Sequence, residues 1–149
     1  SGLNPSLLEL EITESAVVDN FEKVSETIQS LCDLGIDVSI DDFGTGYSSL
    51  AYLKRLPIQK LKIDKSFVDS LHTNADDLAI ANALVSLGHT LGLSVIAEGV
   101  ESADQAKALY NKGCDEFQGY LFSKPLPAES IAGWFWAQQS DSLLSPSSQ

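Results

Sequence analysis

The sequence predicts an α/β protein that forms part of a (β/α)8 TIM-type barrel, with about five β-α units present. Three observations carry this. Strand-like and helix-like segments alternate along the chain, which implies a parallel sheet with helices packed on it. Each strand-like segment is apolar on one face and polar on the other, whereas a parallel sheet covered on both sides is normally apolar on both. Acidic and amide side chains also stand at the C-terminal ends of these segments, where barrels of this type carry their chemistry.

The elements follow in order. Leu7 to Thr13 reads as a strand, then Asn20 to Leu34 as a helix stopped by Gly35. Ile36 to Asp42 is the second strand, followed by a glycine loop and a short helix near Ser48 to Arg55. Pro57 breaks that helix, and Gln59 to Asp64 is the third strand. Ala75 to Leu91 is a long helix ending at Gly92, and Leu93 to Glu98 the fourth strand. Ser102 to Lys112 is a helix ending at Gly113, and Cys114 to Gln118 the fifth strand. Ala128 to Gln139 is the last helix, with Pro127 ahead of it. The expected organisation is one domain over residues 1–139 and a Ser-rich, disordered tail over 140–149.

The strand faces argue for the barrel. Leu8, Leu10 and Ile12 oppose Glu9, Glu11 and Thr13; Ile36, Val38 and Ile40 oppose Asp37, Ser39 and Asp41. Leu61 and Ile63 oppose Lys60, Lys62 and Asp64, Glu98 shares a face with Ser94 and Ile96, and Gln118 shares one with Glu116. An open sheet with helices on both sides would bury these charges unpaired. A barrel directs them inward, towards its mouth. The alternative is a half-solvated antiparallel sheet, but the long intervening helices suit parallel crossovers. Five units do not close a barrel of eight, so roughly three units, about 90–100 residues, are expected on the N-terminal side.

Composition sets further bounds. The 149 residues are 44% hydrophobic, enough for one domain with a real core. A net charge of −12 disfavours nucleic acid polymers and anionic membranes. An anionic substrate would bind only where cations reverse the local sign. No run approaches the roughly 18–20 apolar residues of a membrane span, and no segment opens the chain as a secretory signal would. Cys32 and Cys114 lack metal spacing and read as free thiols in a reducing cytosol. The chain holds no methionine, which predicts a cut or engineered start and a longer parent protein.

The densest chemical signal is Asp41-Asp42, at the end of an apolar strand and ahead of Phe43-Gly44-Thr45-Gly46-Tyr47-Ser48-Ser49. Adjacent carboxylates repel unless a cation sits between them. Hard cations such as Mg²⁺ want oxygen ligands, and paired ions clamp a phosphate ester for hydrolysis. The plain alternative is an acidic turn. Glu11, Asp41, Glu98 and Gln118 all fall at strand C-terminal ends, with Lys62 near one. Lys62 could instead simply pair with Asp64 or Glu11. Gly44-x-Gly46 is more often a turn than a phosphate loop. His72 and His89 have no metal partner at useful spacing, and Trp134 and Trp136 are expected to pack the last helix.

These residues resemble a known family. Leu10-Glu11-Ile12-Thr13-Glu14-Ser15, Asp41 through Ser49, Leu61-Lys62-Ile63-Asp64, Ala97-Glu98-Gly99-Val100-Glu101, Gln118-Gly119-Tyr120 and Phe122-Ser123-Lys124-Pro125 look like the EAL-domain family, over roughly residues 3–137. The resemblance implies a bacterial phosphodiesterase on a modified TIM barrel. Such enzymes hydrolyse cyclic di-GMP to linear pGpG with Mg²⁺ or Mn²⁺ and are inhibited by Ca²⁺. It implies Glu11 and Asp41 as ligands of one metal, with Asp41 bridging to a second and Asp42 as a further ligand. Glu98 would join the second metal or act on the attacking water. Lys62 would orient that water and stabilise developing charge, and Gln118 would hold the water or a metal-bound group by hydrogen bonding. Glu14 would anchor the loop from Phe43 to Ser49, which the family links to metal binding and dimerisation.

The chain departs from the family in lacking the Glu-Ala-Leu motif and the segment that supplies an asparagine ligand. Both are expected before residue 1, so the set for one metal is incomplete here. The expected function is thus that of the parent protein: a cyclic di-GMP phosphodiesterase, cytoplasmic or tethered to a membrane through a further segment, with regulatory or sensory domains. This chain alone is expected to be inactive and to form a homo-oligomer. The alternative is a non-catalytic cyclic di-GMP receptor or dimerisation module.

Overall fold

The structure, a computed structural model, describes residues 2–44, 50–69, 71 and 74–143. Five strands form one parallel sheet in sequence order, β1 (Glu9–Thr13), β2 (Asp37–Phe43), β3 (Lys60–Ile63), β4 (Ser94–Ala97) and β5 (Glu116–Phe117). Between them lie α1 (Glu14–Asp19), α2 (Phe21–Asp33), α3 (Leu50–Leu53), α4 (Lys65–Val68), α5 (Ala75–Thr90) and α6 (Ala103–Tyr110), and α7 (Ala128–Leu143) ends the described chain. Every expected unit is present. The sequence reading missed α1 and α4, each only one or two turns long. It also overextended β5, which pairs over two residues.

One face of the sheet is apolar and covered. Val38, Leu61, Ile63, Val95 and Ala97 are fully buried beneath Phe21 and Ile28 of α2, Val68 of α4, Ala81 and Val85 of α5, and Leu109 of α6. Each such large side chain contributes roughly 1.5–3 kcal/mol by leaving water. The parallel register aligns Glu9 with Asp37, Glu11 with Ser39, Ser39 with Lys60, and Lys60 with Ser94, so the polar residues share the opposite, inner face. There Lys60 pairs with Glu9 at 2.9 Å and Glu116 at 3.3 Å, which knits the first, third and fifth strands together.

Helix α5 lies unusually close to β4. A Cβ on Gly88 would sit 2.4 Å from Cγ2 of the fully buried Val95. Valine is stiff at χ1 and cannot swing aside. Gly88→Ala is therefore expected to destabilise the chain by about 1–3 kcal/mol. Val95→Ala in the same chain should return part of that loss, read as non-additivity in urea unfolding; additive costs would show that the helix tilts instead.

Cys32 and Cys114 are free thiols, the first half-buried and the second buried. Burial pushes the Cys114 thiol up to about 11. His89 Nε2 lies 2.9 Å from Asp115, whose carboxylate also accepts the Val95 N–H at 2.8 Å. His72 lies outside the described residues, as does the expected tail beyond residue 143. Residues 140–143, read as the start of that tail, belong to α7. Trp134 and Trp136 do not pack inward as expected; they are 36% and 64% exposed. The helix that carries them follows an edge strand, so no strand flanks it on the far side among the described residues.

Candidate active site at the strand C-terminal ends

A defect in β2 builds the site. Ile40 aligns with Leu61 and Phe43 with Ile63, so three steps along β2 match two along β3. The extra residue is a β-bulge at Asp41-Asp42. Asp42 takes φ +55°, a left-handed conformation that aspartate tolerates better than most residues. Strict alternation would turn Asp42 away from Asp41. The bulge keeps both carboxylates on the inner face and still returns Phe43 to the core, 3% exposed. The Asp42 N–H donates to the Asp41 carboxylate at 3.0 Å, which fixes their relative orientation.

Glu98 follows β4 directly, and its N–H donates to Ile63 O at 3.1 Å. Carboxylate oxygens of Asp41, Asp42 and Glu98 all lie within 4.8 Å of one another. Such an all-oxygen set suits a hard divalent cation. Glu11, on β1, lies outside this group of three and contacts Lys62.

Lys62 joins the two sides. It is 3% exposed, and its Nζ donates to Glu11 and lies 2.5 Å from Glu98 and 3.5 Å from Asp41. Burial works against its charge, but the hydrogen bonds to Glu11 and Glu98 and the charges of Glu98 and Asp41 outweigh burial, so its pKa is raised. These contacts favour the charged ammonium of Lys62. Burial raises the Glu98 carboxyl; Lys62 opposes this, while Asp41 and Glu11 add to it. The charge of Asp41 is the main cause that raises Asp42, followed by slight burial and by Asp64.

Asp64 is a site residue whose role sequence reasoning missed. The sequence offers it as a partner for Lys62 and within Leu61-Lys62-Ile63-Asp64, whereas Lys62 pairs with Glu11, Asp41 and Glu98. Its carboxylate caps α4 by accepting the Ser66 N–H at 3.0 Å, and it also hydrogen-bonds Asp42. The Ser66 hydroxyl and this bonding hold its carboxyl below the usual range. Its shared face with Lys62 was the available signal.

Gln118 follows β5 and is exposed. Its N–H donates to Ala97 O at 2.9 Å, and its carbonyl accepts the Val100 N–H at 3.0 Å. Its side chain lines a cavity of about 470 Å³ on the inner face, shared with Glu11, Lys60 and Lys62. Glu14 is buried in α1, and its Oε2 accepts the Gly44 N–H at 3.0 Å. That bond holds the start of the loop after β2; residues 45–49 of that loop lie outside the described residues.

The EAL domain family model matches residues 1–125. The chain belongs to the EAL domain family. It is 51% identical over 138 residues to the signaling protein YkoW of Bacillus subtilis, covering 93% of this chain and 17% of YkoW. It is 48% identical over 129 residues to the bifunctional diguanylate cyclase/cyclic di-GMP phosphodiesterase MucR of Pseudomonas aeruginosa, covering 87% of this chain and 19% of MucR. The solved MucR phosphodiesterase, a c-di-GMP complex, superposes with a TM-score of 0.83 at 48% identity over 87% of this chain and 52% of that one. BlrP1 of Klebsiella pneumoniae, solved with cy-diGMP and manganese or calcium, gives a TM-score of 0.76 at 37% identity over 83% of this chain and 32% of that one. The EAL chain thus spans under a fifth of these two curated relatives and about half of the solved MucR chain. Its five-stranded sheet is a partial barrel of the EAL type.

Proposed function

We propose that the protein carrying this site is a metal-dependent phosphodiesterase that hydrolyses cyclic di-GMP to linear pGpG. The bulge that turns Asp41 and Asp42 together towards Glu98, beside a buried Lys62, is the observation that carries this reading. Support comes from MucR, solved with c-di-GMP, and from BlrP1, solved with manganese and cy-diGMP.

Asp41, Asp42 and Glu98, with Glu11 beside them, would hold Mg²⁺ or Mn²⁺. Bound there, the ions supply a water of lowered pKa and neutralise phosphodiester oxygens. Lys62 keeps its proton and presents positive charge where the phosphorane gathers negative charge. Gln118 would orient the attacking water from the mouth. Water attacks phosphorus in line, and the ribose 3′ oxygen leaves. Glu14 would hold the start of the loop after β2 through Gly44.

The test is product analysis of the intact protein with cyclic di-GMP. pGpG should form with Mg²⁺ or Mn²⁺ and not with EDTA, and Asp41→Asn should remove it. Tight binding of cyclic di-GMP without pGpG would favour the receptor alternative; neither binding nor turnover would end the reading. In the same assay, the 149-residue chain alone should give little pGpG, because the expected ligand set for one metal is incomplete within it.

Partners follow from exposed surface and coverage. β1 and β5 leave open sheet edges, and Tyr120, Phe122, Ile131, Phe135 and Trp136 are exposed. Open edges and apolar patches drive association, so we expect the chain to self-associate; a monodisperse monomer in solution scattering would refute this. Regulatory domains beyond this chain fit its small share of YkoW and MucR, and limited proteolysis of the intact protein would reveal them as separate stable fragments. Among the described residues, no helix is long and apolar enough to cross a membrane. The free thiols suit a reducing compartment, and we place the site in the cytoplasm, to be checked by cell fractionation.

A further inference from the structure

Glu98 stands on the turn between β4 and α6, and the fastening of that turn points to one more functional residue. Gln105, in the first turn of α6, is 5% exposed. Its Oε1 accepts the N–H groups of Glu101 at 2.8 Å and Ser102 at 2.9 Å. Its own N–H donates to Ser102 Oγ at 3.2 Å, completing a capping box. A capping box needs only one bond back to the cap residue. Gln105 does more: its Nε2 donates to Val68 O at 3.1 Å and Asp69 O at 3.4 Å, at the end of α4. α4 follows directly on Lys62 and Asp64. One buried amide therefore ties the segment behind Lys62 to the segment behind Glu98.

A second contact supports the same tie. Gly99, at φ +68°, lies against the stem of Lys65 so closely that a Cβ there would meet Lys65 Cγ at 2.3 Å. Lys65 Nζ then reaches Glu101 at 2.6 Å. We propose that Gln105 is a positioning residue that sets Glu98 in register with Lys62 and the Asp41-Asp42 pair. This rests on the reading of Glu98 as a metal ligand. The primary amide supplies both an acceptor for the turn and donors for α4. A glutamate would keep the first half of the tie and lose the second.

The test is manganese affinity of the intact protein, read by electron paramagnetic resonance, with kcat and KM for cyclic di-GMP alongside. Gln105→Glu is expected to weaken Mn²⁺ binding about tenfold, the scale on which residues supporting metal ligands act. kcat at limiting Mn²⁺ should fall with it, excess Mn²⁺ should restore kcat, and KM should change little. Leu109→Ala serves as the control, since Leu109 is fully buried on α6 and its carbonyl accepts the N–H groups of Lys112 and Cys114 at the other end of that helix. It should lower the melting temperature and leave Mn²⁺ affinity alone. Unchanged affinity in Gln105→Glu, or an equal loss in Leu109→Ala, would overturn the proposal. Should Gln105→Glu fail to fold, Gln105→Asn carries the same comparison, because it keeps the amide but reaches one methylene less. Glu98→Gln separates the two readings. If it leaves Mn²⁺ affinity intact, Glu98 is no ligand and both fall. If it weakens Mn²⁺ while the Gln105 variants do not, only the role of Gln105 falls.

Discussion

Lys62→Met is expected to cut cyclic di-GMP turnover about 10²–10³-fold while manganese binds at least as tightly as before. The loss follows from removing a buried cation that contacts the site carboxylates, on the scale of a lost transition-state donor. The gain in metal binding follows from competition. Lys62 pairs with Glu11, Asp41 and Glu98 at once, and Asp41 and Glu98 also belong to the group of three carboxylates that would hold an ion. Without the ammonium, the carboxylates turn to the divalent cation instead. The same change should destabilise the metal-free protein. Breaking a fully buried ion pair costs several kcal/mol, but here Glu11 is 49% exposed and water can solvate what remains, so about 2 kcal/mol is the expected scale. Thermal melts in EDTA and in Mn²⁺ should diverge more in the variant than in the parent. Weaker manganese binding by Lys62→Met would show that the lysine helps build the site rather than competing for it.

Gly119→Ala should be among the most damaging single-methyl additions in the chain. A Cβ at Gly119 would lie 2.1 Å from Val100 O and 2.4 Å from Val100 N, both backbone atoms with nowhere to move. The two turns are interlocked there: Val100 N–H donates to Gln118 O and Leu121 N–H to Val100 O, each at 3.0 Å. One turn carries Glu98 and the other Gln118. The added methyl must part them, so stability should fall by about 3 kcal/mol and the residual folded protein should lose turnover by more than its folded fraction explains. Urea unfolding and activity per folded molecule check the two parts separately. A folded, fully active Gly119→Ala would mean that the turns are free to separate.

The sequence made the architecture readable because its periodicity and its punctuation agree. Gly35 and Gly92 follow helix ends where expected, although α6 stops at Tyr110, short of Gly113, and the polar sides of the strands align across the sheet as expected of a barrel interior. The bulge was not readable. Alternation assigned Asp41 to the inner face but said nothing of Asp42, because an inserted residue has no signature of its own in a two-residue period. Gln105 was hidden for another reason. Its partners Val68 and Asp69 are 37 and 36 residues away in sequence and offer only backbone carbonyls. Trp134 and Trp136 misled because aromatic residues on a helix usually mark a packed face, and here that face is open.

The insertion in β2 also says how such a domain could change occupation. Inner and outer positions before the insertion are in one phase, and Phe43 after it is brought back to the core by the extra step. Losing one codon, that of Asp42, would leave a regular strand with every core residue still in place. The proposed ion site would lose one carboxylate, and the scaffold only the Asp42 contacts with Asp41 and Asp64. A chain lacking Asp42 is expected to melt close to its parent yet hold manganese more weakly, read by thermal melts and manganese titration side by side.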